Sequence, residues 1–230
     1  MRLGTIIVAA GDSQRMGGAV NKALLSLAGR PLLTHVLDTW LKVAESLVVV
    51  TRPQDWQAVS AIIAPYGKAV RLAAGGANRA ASVAQGLQAL ADAGPPELIA
   101  VQDAARPLTA NSDIRQVIEA AKREGAAILA APLGDTVRRR LGGFCGETLP
   151  REHLLAAQTP QIFRAAWLFA AYNAANKTAL AAATDDASLV MAAGYPCAYV
   201  WAQHANFKLT YREDVALAEA IVKERLTINT

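Results

Sequence analysis

Two glycine-containing loops with basic residues follow apolar runs of this sequence. The first loop, residues 9–18 (AAGDSQRMGG), is followed by Lys22. Small residues let a ligand approach the backbone, exposed N–H groups can hold phosphate oxygens, and Arg15 and Lys22 would add positive charge. The loop therefore predicts a phosphate site, with a solvated Gly-rich connector as the alternative. It matches neither the P-loop pattern nor the G-x-G-x-x-G pattern of dinucleotide-binding proteins.

The second loop, residues 75–83 (GGANRAASV), also follows an apolar run and opens a helix-like segment. Paired glycines at the end of a strand can bring main-chain N–H and C=O groups against the edge of a base. Ser82, in the first helical turn, can form a hydrogen bond with the same base. The alternative is a simple turn followed by a helix cap at Asn78.

A third motif, residues 101–107 (VQDAARP), places Asp103 and Arg106 three residues apart after another apolar run. A surface salt bridge is the alternative to a binding role. Other polar motifs are weak individually, and the strong signal is their occurrence together in this order: Asp135 with Thr136, Arg151, residues 158–161 (QTPQ), 184–188 (TDDAS) and 206–210 (NFKLT).

These motifs are separated by apolar segments that alternate with segments of helical periodicity. The predicted strands are residues 3–9, 46–51, 69–73, 98–102, 126–132 and 197–201. The predicted helices are 32–41, 54–66, 79–91, 111–124, 164–175, 185–193 and 212–225. The alternation predicts an α/β fold, with a mostly parallel twisted sheet and helices on both faces. In such a fold the ligand site lies at the carboxyl ends of the strands.

The segment 136–149 interrupts this alternation. It contains the run Arg138 to Arg140 and three glycines, and it lacks a helical apolar face. It predicts a β-hairpin arm that either folds back as a local lid or reaches a second subunit. We expect one domain over residues 1–230, with the arm protruding at about 136–158.

Composition narrows the classes of function. The chain has 230 residues, of which 53% are hydrophobic and 18% charged, as in a folded globular protein. Its net charge of +4 is spread without long basic runs, so it suits a small anionic substrate at least as well as nucleic acid. Cys145 and Cys197 have no ligand spacing that predicts zinc. We expect no membrane partner and a cytoplasmic location, because no leader or membrane-spanning segment is recognisable.

Taken together, the motifs resemble the 2-C-methyl-D-erythritol 4-phosphate cytidylyltransferases over nearly the whole chain. The resemblance implies a Rossmann-like nucleotidyltransferase fold. It also implies an enzyme that transfers CMP from CTP to 2-C-methyl-D-erythritol 4-phosphate, giving 4-diphosphocytidyl-2-C-methyl-D-erythritol and pyrophosphate. The residues that carry it are Ala9, Arg15, Met16, Lys22, Gly75, Gly76, Arg79, Ser82, Val83, residues 103–107, Asp135, Thr136, Arg151, residues 159–161, 184–188 and 206–210.

The resemblance also implies the roles of individual residues. The implied catalytic residues are Arg15, Lys22, Arg151 and Lys208. The implied CTP-binding residues are Ala9, Ala10, Gly11, Arg15, Lys22, Gly76, Ser82 and Asp103. The implied sugar-phosphate-binding residues are Asp103, Arg106, Thr136, Arg151, Thr184 and Lys208, several of them acting across a homodimer interface formed by the exchanged arm. We expect Mg²⁺ or another divalent cation, held mainly by triphosphate oxygens, with Asp103 as the candidate protein ligand.

The chain departs from the family pattern at Ala23, Gln102, Pro150 and Leu155. The last two flank Arg151, so they bear on how the sugar phosphate is presented. A ribitol 5-phosphate cytidylyltransferase is the nearest alternative enzyme, and a non-catalytic CTP-binding module is the alternative from another class. A nicotinamide oxidoreductase is disfavoured because G-x-G-x-x-G is missing.

Overall fold

A seven-stranded sheet forms the centre of the fold in the computed structural model, which describes residues 2–11 and 21–228, the last three by backbone only. The strands in chain order are β1 (Leu3–Ala9), β2 (Ser26–Leu27), β3 (Arg30–Pro31), β4 (Ser46–Thr51), β5 (Val70–Ala74), β6 (Leu98–Asp103), β7 (Ala126–Ala131), β8 (Val137–Leu141), β9 (Phe144–Leu149), β10 (Ala156–Arg164) and β11 (Ala198–Trp201). The central sheet has the order β11-β7-β10-β6-β1-β4-β5. Strand β10 runs antiparallel to both of its neighbours, and every other pairing in this sheet is parallel.

Helices cover both faces of this sheet. They are α1 (Leu32–Trp40), α2 (Trp56–Ile63), α3 (Arg79–Asp92), α4 (Asn111–Glu124), α5 (Ala165–Ala174), α6 (Lys177–Ala182), α7 (Asp186–Ala192) and α8 (Glu213–Ile228). Within the described ranges, none combines the length and the apolar character that a bilayer crossing needs.

Two separate apolar clusters show how the helices are divided between the faces. Ile7 of β1 belongs to the cluster that includes buried residues of α1, α2, α4 and α8. Its neighbour Ile6 belongs to the cluster of α3, α5 and α7. Adjacent residues of a strand point to opposite faces, so a continuous apolar strand packs against helices on both sides. The predicted mostly parallel sheet with helices on both faces is confirmed.

Strand β10 was not predicted from the sequence. Its residues AAQTPQIFR include a proline and several polar side chains, which normally argue against a central strand. Thr159 and Gln161 are nevertheless buried, and the pairing with β7 shifts register between Gln158 and Gln161. The strand is accommodated because its polar side chains find partners elsewhere in the fold, which a local pattern does not reveal.

The predicted hairpin is present as β8 and β9, which pair with each other in a sheet of their own. Gly142 lies in the connecting turn with a φ of +57°. A short 3-10 helix, Arg151–His153, follows the hairpin, and from Ala156 onward the chain pairs with β7 in the central sheet. The segment outside the central sheet, residues 132–155, therefore ends three residues before the end of the expected range of about 136–158.

Gly125 at the end of α4 provides a test of the packing between α4 and α5. Its φ is +92°, and a Cβ there would overlap the ring of Trp167. We expect Gly125→Ala to lower the free energy of unfolding by roughly 2–4 kcal/mol, from backbone strain plus overpacking. Urea unfolding monitored by circular dichroism measures this loss.

The matched control is Gly194→Ala. Gly194 has a φ of +90° but no atom within 4 Å of a Cβ built there. It should lose only the strain contribution, about 1–2 kcal/mol. Equal losses in the two variants would show that the Trp167 ring moves aside at no cost.

Candidate active site at the carboxyl ends of the central strands

A crevice of about 510 Å³ opens where β1, β4, β5 and β6 end. This is the edge of the sheet at which the sequence predicted a ligand site, and the volume lies in the range of small-molecule sites. Among the predicted site residues, those lining the crevice are Ala9, Ala10, Gly11, Lys22, Gly76, Ser82, Asp103 and Lys208. Arg15, Met16 and the rest of residues 12–20 lie outside the described residues.

The charged side chains that line the crevice are mostly cationic. In the part of the chain that the structure describes, the lining includes Lys22, Arg52, Arg79 and Lys208 but a single acid, Asp103. Because the low-dielectric walls of a crevice focus the field of such charges, the site favours an anionic ligand.

Asp103 lies at the centre of these charges. Its side chain is 10% exposed, and Lys208 Nζ lies 2.8 Å from Oδ2. Arg79 Nε lies 3.5 Å from Oδ1, and Arg106 Nε lies 3.8 Å from Oδ2. Burial alone would raise the pKa of Asp103, but the three cations outweigh it and hold that pKa below its usual value. Asp103 is therefore an anchor for cations rather than a proton donor.

Arg106, a predicted sugar-phosphate residue, contacts Asp103 but does not itself line the crevice. Its Nη1 donates to the Asn206 carbonyl at 2.7 Å. The Asn206 amide in turn donates to Gln158 Oε1 at 2.8 Å and to the Thr159 carbonyl at 2.9 Å. These bonds join the turn after β6 to β10 and to the segment that carries Lys208, so the relative positions of Asp103 and Lys208 are fixed.

The glycine pair after β5 adopts a conformation that a larger residue would prevent. The N–H of Gly75 donates to the Thr51 carbonyl at 2.7 Å, and that of Gly76 donates to Ser82 Oγ at 3.1 Å. A Cβ on Gly76 would lie 2.5 Å from the Cβ of Ala81. Asn78 caps α3 by accepting from the Ala81 N–H, so the cap interpretation is also correct.

Lys22 begins a 3-10 helix, Lys22–Leu24, directly before β2. Its Nζ donates to the carbonyls of Leu209 at 3.1 Å and Thr210 at 3.4 Å. The ammonium group of Lys22 thus lies beside the segment that presents Lys208. Two cations that are 186 positions apart in the sequence meet at one crevice.

Besides Arg106, three predicted sugar-phosphate residues do not line this crevice. Thr136 is exposed just before β8, and Thr184 is exposed just before α7. Arg151 is exposed after the hairpin and donates through Nη1 to the Gly134 carbonyl. A single chain therefore does not bring these residues together with Asp103 and Lys208.

Arg79 is one of the residues that carry the family resemblance, but it was not predicted to be a site residue. Besides contacting Asp103, its Nη1 lies 2.8 Å from Oδ2 of Asp186, which is fully buried. Tyr172 donates to the other oxygen of that carboxylate at 2.6 Å. Burial, followed by the charge of Asp186, raises the pKa of Tyr172.

Arg52 is a second lining residue that was not predicted from the sequence. It directly follows β4, so the rule that ligands bind at strand ends could have identified it.

The structure places all four departures from the family pattern. Gln102 is fully buried, and its Nε2 donates to the carbonyls of Asp103 and Arg106 and to Thr109 Oγ1. It therefore stabilises the turn that presents Asp103. Ala23 is buried within the core. Pro150 precedes the 3-10 helix of Arg151, and Leu155 packs against the core on the α3 face.

Comparison with known proteins agrees with this geometry. The family model for 2-C-methyl-D-erythritol 4-phosphate cytidylyltransferase matches residues 3–224. A curated relative of that name from Halalkalibacterium halodurans is 38% identical over 98% of this chain and 99% of its own length. One from Pelotomaculum thermopropionicum is 39% identical over 97% of this chain and 95% of its own length.

Solved structures give the same result. The crystal structure of 2-C-methyl-D-erythritol 4-phosphate cytidylyltransferase from Thermus thermophilus is 36% identical to this chain, with a TM-score of 0.79 over 97% of this chain and 100% of the other. The match spans the elements that build the crevice and extends over nearly all of both chains. The chain therefore belongs to the 2-C-methyl-D-erythritol 4-phosphate cytidylyltransferase family and is a nucleotidyltransferase.

Proposed function

We propose that this chain transfers CMP from CTP to 2-C-methyl-D-erythritol 4-phosphate at the crevice formed by the strand ends. The observation that carries the proposal is that Lys22, Asp103 and Lys208, which the family resemblance assigned to the two substrates, line one cationic crevice. Family membership supplies the reaction, and the crevice supplies a place for two phosphorylated substrates to meet.

The nucleotide half of the site would be formed by backbone groups and cations. The end of β1, Ala9 to Gly11, offers small residues that let the triphosphate approach the main chain. Gly76 and Ser82 would bind the cytosine edge through main-chain and hydroxyl groups. Lys22 and Arg15 would neutralise the α-phosphate and the departing pyrophosphate.

The chemistry requires positioning and charge neutralisation more than proton transfer. The second pKa of a phosphate monoester is about 6, so the attacking phosphate is largely dianionic at neutral pH. One of its oxygens forms a bond to the α-phosphorus of CTP, the bond between that phosphorus and the β-phosphate oxygen breaks, and pyrophosphate leaves with the electron pair. Lys208, held by Asp103, and Arg151 would orient the attacking phosphate.

A divalent cation, Mg²⁺ in the simplest case, fits the residues that are present. Asp103 is the acidic residue of the described lining, and its oxygens already contact Lys208 and Arg79. Elsewhere in the described ranges, no group of three or more His, Cys, Asp or Glu residues could hold a metal ion. Mg²⁺ would therefore be held mainly by triphosphate oxygens, where it supplies further neutralisation of the reacting phosphates, with Asp103 as the candidate protein contact.

We propose a homodimer in which the hairpin arm of each chain reaches the crevice of the other. Two observations support it: Thr136 and Arg151 flank the hairpin away from the crevice, and Phe144 and Leu141 at its tip are 82% and 57% exposed. Large apolar side chains at such a tip favour burial against another surface.

We also propose a cytoplasmic location, without a nucleic-acid or membrane partner. The small anionic substrates and the two free cysteines support this proposal.

Pyrophosphate release from CTP and Mg²⁺ tests the function directly, with methylerythritol 4-phosphate and ribitol 5-phosphate as parallel acceptors. We expect turnover with the first and none with the second. Turnover with ribitol 5-phosphate alone would contradict the proposed acceptor while keeping the nucleotide site. CTP binding without turnover would indicate a non-catalytic module.

Lys22→Ala tests the role of the cation at the nucleotide. Removal of one charge donor to the transition state should lower kcat by on the order of 10²–10³. The measurement is steady-state pyrophosphate release at saturating substrates, with circular dichroism as the control for folding. An unchanged kcat would remove Lys22 from the mechanism.

Gly76→Ala tests the proposed cytosine site. The added Cβ would lie 2.5 Å from the Cβ of Ala81, so the loop must shift, and we expect the KM for CTP to rise by roughly tenfold or more. The control is Gly194→Ala, outside the crevice lining and the hairpin arm, where a Cβ has no atom within 4 Å. An unchanged KM for CTP in Gly76→Ala would argue that the base lies elsewhere.

Arg151→Ala tests both the acceptor site and the exchanged arm. It should raise the KM for methylerythritol 4-phosphate, and a rise in the KM for CTP alone would contradict this placement. If Arg151 acts on the partner's crevice, mixing Arg151→Ala with Lys22→Ala subunits under exchange should recover activity, because half of the sites in a mixed dimer carry both residues. No recovery despite demonstrated subunit exchange would place Arg151 in its own chain's site.

A further inference from the structure

The side-chain amide of Asn21, the residue before Lys22, forms three hydrogen bonds with different parts of the fold. It is 2% exposed. Its Nδ2 donates to the Ala9 carbonyl at 2.7 Å and to Asp55 Oδ2 at 2.9 Å, and its Oδ1 accepts from the Ala23 N–H at 3.0 Å. One amide therefore joins the end of β1, the region after β4 and the 3-10 helix that begins with Lys22.

Asp55 anchors the far end of this junction. The same Oδ2 atom that accepts from Asn21 also lies 2.6 Å from Arg52 Nε, and both side chains of that ion pair are largely buried, at 14% and 11% exposure. A charged acceptor strengthens the hydrogen bond that it receives, especially where water is excluded. The Asn21 amide is thus tied to a fixed carboxylate rather than to a mobile surface group.

The junction fixes the start of the Lys22 side chain. Asn21 is the N-cap of the 3-10 helix Lys22–Leu24, with a backbone φ of −62° and ψ of 126°. The other end of Lys22 donates from Nζ to the Leu209 and Thr210 carbonyls. With the backbone end held by Asn21, the ammonium group has a restricted range beside the crevice.

We propose that Asn21 is a positioning residue for the transfer reaction, which it serves by fixing Lys22, and that Asp55 is its anchor. The inference rests on the proposed role of Lys22. Positioning matters because a displacement of about 1 Å in a reacting group can cost on the order of a hundredfold in rate. The two hydrogen bonds from Nδ2 fix the 3-10 helix Lys22–Leu24 relative to β1 and Asp55. The bond to Oδ1 alone would let this helix tilt away from them.

Asn21→Asp is the isosteric test. An aspartate keeps the cap to the Ala23 N–H but loses both donors, and it places a carboxylate against the Ala9 carbonyl and Asp55. Asn21→Ser is the uncharged companion, since serine also caps a helix but has no amide to reach Ala9 and Asp55. In both variants we expect kcat to fall by roughly tenfold or more, with the KM for methylerythritol 4-phosphate within about twofold.

The double variant Asn21→Asp with Asp55→Asn provides rescue. It exchanges donor and acceptor across the same 2.9 Å contact and keeps the total charge. The bond between residues 21 and 55 can reform, but the bond to Ala9 and the ion pair of residue 55 with Arg52 are lost. We therefore expect kcat to recover in part relative to Asn21→Asp alone.

The matched control is Asn176→Asp. Asn176 caps α6 by accepting from the Ala179 N–H at 2.8 Å and is exposed away from the crevice. The substitution makes the same chemical change at another helix cap. Its kcat should equal that of the unmodified protein.

Each variant is also made with Lys22→Ala. If Asn21 acts through Lys22, replacing Asn21 should cost little further kcat once Lys22 is gone. An equal loss in both backgrounds would show a general structural effect and overturn the inference, as would full kcat in folded Asn21→Ser. If Lys22→Ala alone leaves kcat unchanged, the proposed function of Lys22 fails first, and that result is distinguishable from a failure of Asn21.

Discussion

The arrangement of the crevice depends on the buried carboxylate of Asp103. Lysine and arginine side chains from three parts of the chain contact it: Arg79 from α3, Arg106 from the turn after β6, and Lys208 from the segment after β11. Like charges brought together in a poorly solvated crevice repel one another strongly. Asp103 offsets that repulsion and leaves an excess of positive charge for phosphorylated substrates.

The sheet makes this convergence possible. Parallel strands end at one edge, so the loops after β1, β4, β5 and β6 meet there although they are far apart in the sequence. Both faces of the sheet are packed by helices, which leaves the strand ends as the place where polar groups can gather. Bonds such as those of Asn206 and Gln102 then fix the loops that carry the charges. The site is held in place by many ordinary contacts around one buried anion.

Much of the fold follows from local pattern. Apolar runs such as Leu3–Ala9 are buried on both faces, and periodic segments such as Asn111–Glu124 present one apolar face, so the alternation is readable directly. Strand β10 was not readable because its buried polar residues are satisfied over long distances. Thr159 accepts from the Asp103 N–H, and Gln161 accepts from the N–H groups of Asp186 and Ala187. No local pattern contains those partners.

The candidate site likewise combines residues that the sequence predicts with residues that only the structure reveals. Asp103, Lys22 and Lys208 could be predicted because the family motifs single them out, and the structure brings them together. Arg79 could not be predicted as a site residue, because its position depends on an ion pair with Asp186, 107 positions further along the chain. Thr136, Arg151 and Thr184 do not line the crevice of the single chain, and their roles stay predictions.

In the proposed mechanism, fixed cations rather than a protein base prepare the attacking phosphate for reaction. None of the three histidines lines the crevice: His35 contacts the Leu27 carbonyl, His204 contacts Asp113, and His153 lies in the 3-10 helix that begins with Arg151. The most direct test is the pH dependence of kcat/KM for methylerythritol 4-phosphate. We expect kcat/KM to rise through a single ionisation near pH ~6, that of the substrate phosphate, and then to stay constant to about pH 9. A second inflection between about pH 6.5 and 8.5, absent from the titration of the substrates, would reveal a protein base and contradict it.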